Sequence, residues 1–156
     1  MGAKRIFSLY SQNSGLEITP EIKINAGKGQ SEGRVQLRFF LLQSPGSTGK
    51  TTQLKFLLEP WEAFDLALRM DKTFKDGGKE KIVHKFTPAG SPEMITSLTV
   101  EKWERAGKSG LGIAVGRGDA FISVPVGKVS TSRFLYAAEF LRFLSTRQGW
   151  VDREAA

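Results

Sequence analysis

Apolar and polar residues alternate along most of the first third of the chain. A short apolar stretch at Ile6 to Leu9 comes first, and Leu16, Ile18, Ile22 and Ile24 then alternate with Glu17, Thr19, Glu21 and Lys23, which predicts two strands. Gly27, Gly29 and Gly33 punctuate a turn before Arg34 to Gln43, where Val35, Leu37, Phe39 and Leu41 share one parity. After the loop Ser44 to Gly49, Thr52 to Leu58 alternates again through Leu54, Phe56 and Leu58. The period then changes from two to that of a helix. Pro60 suits a first helical position, and Trp61, Phe64, Leu66 and Leu68 with Ala63 and Ala67 form a stripe through about Lys72, with a stop expected at Asp76-Gly77-Gly78.

The same order returns in the second half. Strands are predicted at Ile82 to Thr87, Met94 to Glu104, Gly110 to Arg117 and Ala120 to Val126, and a helix at Thr131 to Arg147, with Gly77 to Lys81 as the connection between halves. Four strands and a helix, twice over, predict an α+β fold: two β-β-β-β-α repeats, about 5–76 and 81–150, forming one pseudo-symmetric domain over residues 1–156. Its two antiparallel sheets would pack through the helices, because a sheet with one apolar face cannot bury that face alone. Phe134, Leu135, Ala138, Leu141 and Leu144 stripe the last helix, while Tyr136, Phe140 and Phe143 add apolar bulk on its other sides. A helix apolar nearly all round is a buried one, and a second subunit is the expected cover.

Composition narrows the chemistry. Cysteine is absent and histidine occurs once, at His84, so thiolate chemistry is excluded and no metal site or cofactor is expected. No apolar run approaches the roughly 20 residues a membrane helix requires, and no secretory signal opens the chain. Lys and Arg number 23 against 16 Asp and Glu, a net charge of +7 that favours a phosphate-bearing partner.

Strand parity says where those cations point. With Val35, Leu37 and Phe39 inward, Arg34, Gln36 and Arg38 face out, as do Gln53 and Lys55, and Lys23 joins them. Lys85, Lys102 and Arg117 extend the set into the second half. Cations and amides on an open sheet face suit phosphate oxygens, and Tyr10 and Phe40 are the candidates for base stacking. The alternative from another class is a nucleotide hydrolase using Lys50 and Thr51, since Gly49-Lys50-Thr51 follows a strand as in a phosphate-binding loop. Against it, Ser44 stands where that motif has a glycine or alanine, Pro45 removes a backbone donor, and the segment beyond alternates like a strand where the motif needs a helix.

The organisation resembles the Whirly family of single-stranded nucleic-acid binders, whose fold is similar to that of kinetoplastid mitochondrial guide-RNA-binding proteins. Tyr10, Leu16 and Pro20 hold the spacing of the family's Tyr-Lys-Gly-Lys-Ala-Ala-Leu run and the proline beyond it, and Gly29 to Gly33 resembles its Lys, Ser, Glu and Gly turn. Ile122 to Val126, leading into the last helix, and Leu144 with Gly149-Trp150 match its closing segments. Ser11 to Gly15 replaces the lysine-bearing part of the motif, which is implicated in DNA binding and assembly in plant members, so the resemblance tilts toward the guide-RNA branch. It implies a non-enzymatic protein that binds single-stranded RNA, or single-stranded DNA as the alternative, through phosphates and without sequence preference. It also implies a homo- or hetero-tetramer with a related chain and an organellar location, the mitochondrion before the plastid. The first predicted strand follows Met1 almost at once, leaving no room in this sequence for a transit peptide, so that location rests on the resemblance.

Overall fold

The structure, a computed structural model, describes residues 7–25, 27, 29–42, 52–127 and 131–151. Strands β1 (Phe7–Tyr10), β2 (Ser14–Asn25), β3 (Gln30–Leu41) and β4 (Gln53–Leu58) precede α1 (Pro60–Asp76); β5 (Gly78–Phe86), β6 (Met94–Arg105), β7 (Lys108–Arg117) and β8 (Ala120–Val126) precede α2 (Thr131–Gly149). Each set of four forms an antiparallel meander in chain order, β1-β2-β3-β4 and β5-β6-β7-β8. This is the α+β architecture of two four-strand-plus-helix repeats that the hydrophobic pattern predicts.

One-sided burial explains why the strands were readable. Leu16, Ile18, Val35, Leu37, Phe39, Leu54, Phe56 and Leu58 are buried on the inner face of the first sheet, and Leu98, Val100, Ile113, Val115, Ile122 and Val124 on that of the second. The helices are exchanged between the repeats: α2 lies across β1, β2 and β3, and α1 lies chiefly on β5 and β6, with the two helices packed on each other. The apolar faces of both sheets therefore close over one shared core.

Three local expectations change. The connection at 77–81 is shorter than its composition suggests, because Lys79, Glu80 and Lys81 pair with Glu101, Val100 and Thr99 as the start of β5. Gly77 and Gly78, at φ of 76° and 90°, turn the chain directly from helix into strand, a conformation closed to side chains with a Cβ. On α1 the buried face is Ala63, Leu66, Ala67, Met70 and Thr73, while Trp61, 65% exposed, Phe64 and Leu68 point outward. The two alanines let α1 approach closely, which the larger rings would not. Finally, Ile22 and Ile24 continue the inward parity of β2 but are exposed, since the β2–β3 hairpin runs past the end of the core.

Two of the contacts that join the repeats fix how the layers meet. Gly33 on β3 lies directly against the C-terminal end of α2, where a Cβ would stand 2.1 Å from the Gln148 carbonyl oxygen. There the Gln148 amide donates to the carbonyls of Glu21 and Arg34, at 2.7 and 2.9 Å. At the other contact, Ser14 Oγ donates to the Ser123 carbonyl on β8 at 2.6 Å. Among the described residues no helix is long and apolar enough to cross a membrane.

Candidate nucleic-acid interface

The outer face of the first sheet meets the overhanging ends of β5, β6 and β7 at an angle, and a groove of about 710 Å3 opens between them. Lys23, Gln36, Lys55 and Leu57 form one wall; Lys85, Phe86, Met94 and Arg117 form the other; His84, Thr96 and Phe56 complete the lining. No aspartate or glutamate is among these lining residues. Lys23, Lys55 and Lys85 are exposed and make no ion pair among the described residues. Three ammonium groups and a guanidinium around an acid-free groove concentrate positive potential where oxyanions can approach.

Arg117 bridges the two walls. It shares the inward parity of β7, but it sits beyond the core, where its Nε donates to Thr96 Oγ1 at 2.9 Å and its Nη2 to the Lys55 carbonyl on the free edge of β4 at 3.2 Å. One guanidinium thus ties the second sheet to the first at the groove.

Five of the residues singled out by strand parity, Lys23, Gln36, Lys55, Lys85 and Arg117, are brought together here. Four others are engaged elsewhere. Arg34 is sequestered, 13% exposed, with Nη2 at 2.8 Å from Glu32 and 3.9 Å from Glu59 and Nη1 donating to the Gly33 carbonyl. Arg38 is neutralised by Glu17 at 2.7 Å, donates from Nη1 to Gln53 Oε1 at 3.0 Å and lies 4.7 Å over the Phe40 ring. Gln53 is thereby occupied as well. Lys102 shares the inward parity of Val100 and caps the far end of α1, its Nζ donating to the Phe74 carbonyl at 3.2 Å, where the helix dipole favours a cation. It belongs to helix stability and not to an outer face.

Arg34→Ala is therefore expected to destabilise the fold by about 2 kcal/mol, because Glu32 and the Gly33 carbonyl lose a largely buried partner. Urea unfolding checks this, and oligonucleotide affinity of the folded variant should stay within twofold of the parent.

Tyr10 and Phe40 form a separate aromatic platform. They meet edge to face at 5.8 Å across Gly15, where a Cβ would lie 2.4 Å from the Phe40 ring, so glycine is what lets the ring lie flat on β2. Tyr10 is 55% exposed. The platform occupies the neighbouring outward row to Lys55, about 7 Å away by strand geometry. The second sheet carries a counterpart that parity did not single out: Trp103 covers Gly110 and Phe121 stands beside Gly116. Strand parity does not single out Leu57, Phe86 and Met94 in the groove either. Their only signal is an apolar residue on an outward row or at the ragged end of a strand, and Phe86 is 66% exposed.

Lys50 and Thr51 lie outside the described residues. Gln53, two positions on, is already in β4, paired with Phe40 of β3, so the segment that follows the glycine-lysine-threonine run is a strand and not the helix a phosphate-binding loop opens. Among the described residues no group of three His, Asp or Glu side chains could hold a metal.

No protein-family model matches the chain, and no curated protein sequence matches it either. Solved structures do. WHY1 from Arabidopsis thaliana superimposes with a TM-score of 0.54 at 16% identity, over 96% of this chain and 88% of that one. WHY3 from the same plant gives 0.59 at 18% identity, over 94% and 89%. The plant transcriptional regulator PBF-2 gives 0.56 at 17% identity, over 94% and 93%. Two antiparallel four-stranded meanders, each followed by its helix, over nearly the full length of both partners: this chain has the fold of the Whirly proteins.

Proposed function

We propose that the protein binds single-stranded nucleic acid through its phosphate backbone, without catalysis, and that the strand lies in the groove between the two sheets. The observation that carries this is the gathering of Lys23, Lys55, Lys85 and Arg117, from four strands, around a groove with no lining acid. Exposed Phe86 and Met94 on one wall and the Tyr10–Phe40 platform beside the other supply apolar surfaces for unpaired bases, each stacked base contributing about 1–3 kcal/mol. Contacts of this kind predict weak sequence preference.

RNA is the favoured target, because the serine- and asparagine-bearing turn at Ser11 to Ser14 stands where the plant motif has lysines. In that reading the protein screens two phosphate backbones from each other and helps a guide strand pair with a messenger in a mitochondrion. Coating of single-stranded DNA in an organelle is the second reading, supported by the shared fold. The exposed rings of Trp61 and Phe64 on α1 and of Tyr136 and Phe143 on α2 support a tetramer, homomeric or with a related chain. Sedimentation equilibrium decides this, a monomer at all concentrations contradicting it.

Fluorescence anisotropy with matched 20-nucleotide RNA, DNA and duplex, each across a salt series, tests the proposal. Four phosphate contacts predict that log affinity for single strands falls with log salt with a slope of about −3. Duplex bound as tightly as either single strand, or affinity indifferent to salt, would contradict it.

A further inference from the structure

The chain's one histidine, His84, lines the groove together with Lys55, Lys85 and Arg117. Its ring is stacked on Phe56 with centroids 4.2 Å apart, and its Nε2 lies 2.7 Å from Glu62 Oε2. Glu62 is itself fixed: the side chain is 12% exposed, and its other oxygen, Oε1, accepts the N–H of Glu59, just before α1, at 3.0 Å. With both oxygens engaged the carboxylate cannot turn away, so the imidazole is held in one place by an acid behind it and a ring beneath it. Nδ1 has no hydrogen-bond partner among the described residues. A neutral ring giving its Nε2 hydrogen to Glu62 presents Nδ1 as a lone pair, which repels an oxyanion; a second proton turns Nδ1 into a donor and adds a full positive charge.

The charges around the ring come from every neighbouring element. Glu62 faces it from α1, where Asp65 is taken by Arg69 at 2.9 Å and Arg69 also donates to the Lys81 carbonyl of β5. Lys55 on β4, Lys85 on β5, Arg117 on β7 and Lys23 on β2 share the groove, and β6 places uncharged Thr96 directly opposite. Cations outnumber the single acid around the groove. A seated polyanion brings negative charge beside the ring, which favours its cationic form in the bound state.

We propose that phosphate binding in the groove is coupled to proton uptake on His84 at Nδ1, with Glu62 as the residue that positions the ring through Nε2. This rests on the groove being the nucleic-acid site. The sign follows from linkage: the bound state holds more protons than the free state, so affinity falls as pH rises through the interval, about pH 5 to 8, where histidine side chains change charge. One proton sets a ceiling of tenfold per pH unit.

The test uses the full chain and a fluorescein-labelled thymidylate 20-mer, whose bases have no group titrating in this interval. At constant ionic strength, affinity at pH 5.5 should exceed that at pH 7.5 by about threefold to tenfold. Calorimetry in two buffers of different protonation enthalpy should register uptake of a fraction of one proton per site. His84→Gln should lose the gain in affinity at pH 5.5, with the pH ratio reduced to about one, a salt slope that no longer steepens between pH 7.5 and pH 5.5, and no proton uptake. Glu62→Gln keeps the ring on Phe56 while removing the anion behind it, and should change the affinity ratio between pH 5.5 and pH 7.5; it is the second arm if the His84 variant unfolds early, and an unchanged ratio there overturns the role of Glu62. A parent protein that binds equally at both pH values, or a His84→Gln variant that keeps the ratio, overturns the coupling and leaves the groove standing. Absence of binding at every pH overturns the nucleic-acid reading, and the coupling with it.

Discussion

Replacing Lys23, Lys55 and Lys85 together with glutamine is expected to weaken single-strand binding about 100-fold at 0.1 M salt and to make the salt slope shallower by about 2. The arithmetic is that of counterion release: each phosphate contact contributes roughly 0.7 to the slope for single strands, so three lost contacts remove a factor of salt concentration raised to about the power 2. Affinity for RNA, DNA and unrelated sequences should drop alike, since the lost contacts carry no base information. The fold should be indifferent, because all three side chains are exposed and none holds an ion pair among the described residues. Circular dichroism and a melting curve alongside the anisotropy titration separate the two effects. A variant that melts normally and binds as well as the parent would remove the groove from the account. The double variant Arg34→Ala, Arg38→Ala is the informative contrast, because those two arginines are already committed to Glu32, Glu17 and Gln53.

The second large effect concerns the fold. Gly33→Ala should cost about 3 kcal/mol, lowering Tm by about 6–12 °C. The added Cβ would meet the Gln148 carbonyl oxygen at 2.1 Å, its carbon at 2.9 Å and its Cα at 3.0 Å, all backbone atoms at the end of α2 that no side-chain rotation can relieve. The helix must lift from the sheet, and the two bonds from the Gln148 amide to Glu21 and Arg34 lengthen with it. Gly112→Ala provides the control, since a Cβ there meets only the Val124 carbonyl at 3.9 Å. Equal melting temperatures for the two variants would show that α2 is not seated on Gly33.

The strands were legible because Val35, Leu37 and Phe39, or Leu54, Phe56 and Leu58, alternate against a single apolar layer, and period two has no other explanation. Residues 79–81 were not, because the edge strand β5 begins in solvent, where lysine and glutamate satisfy the backbone ladder without any apolar signal. On α1 the largest apolar residues, Trp61, Phe64 and Leu68, drew the stripe to the wrong side, since close helix packing favours Ala63 and Ala67.

For the site, parity gives the face of a side chain but not its partner. The Glu32–Arg34 pair could have been read, two residues apart on one strand and hence on one face. Lys102 likewise shares its parity with buried Val100. The pairing of Arg38 with Glu17 requires the β2–β3 register, and the meeting of Lys55 with Lys85 and Arg117 requires the angle between two sheets, neither of which a linear pattern contains.

Nuclear magnetic resonance of the 15N-labelled protein, titrated with a uridylate 20-mer, locates the bound strand most directly. The amides of Lys23, Gln36, Lys55, Lys85 and Arg117 should show the largest shifts, with Tyr10 and Phe40 following and the helix faces at Trp61 and Tyr136 unmoved. Shifts confined to those helix faces or to Trp103 and Phe121 on the second sheet, with the groove silent, would contradict the account.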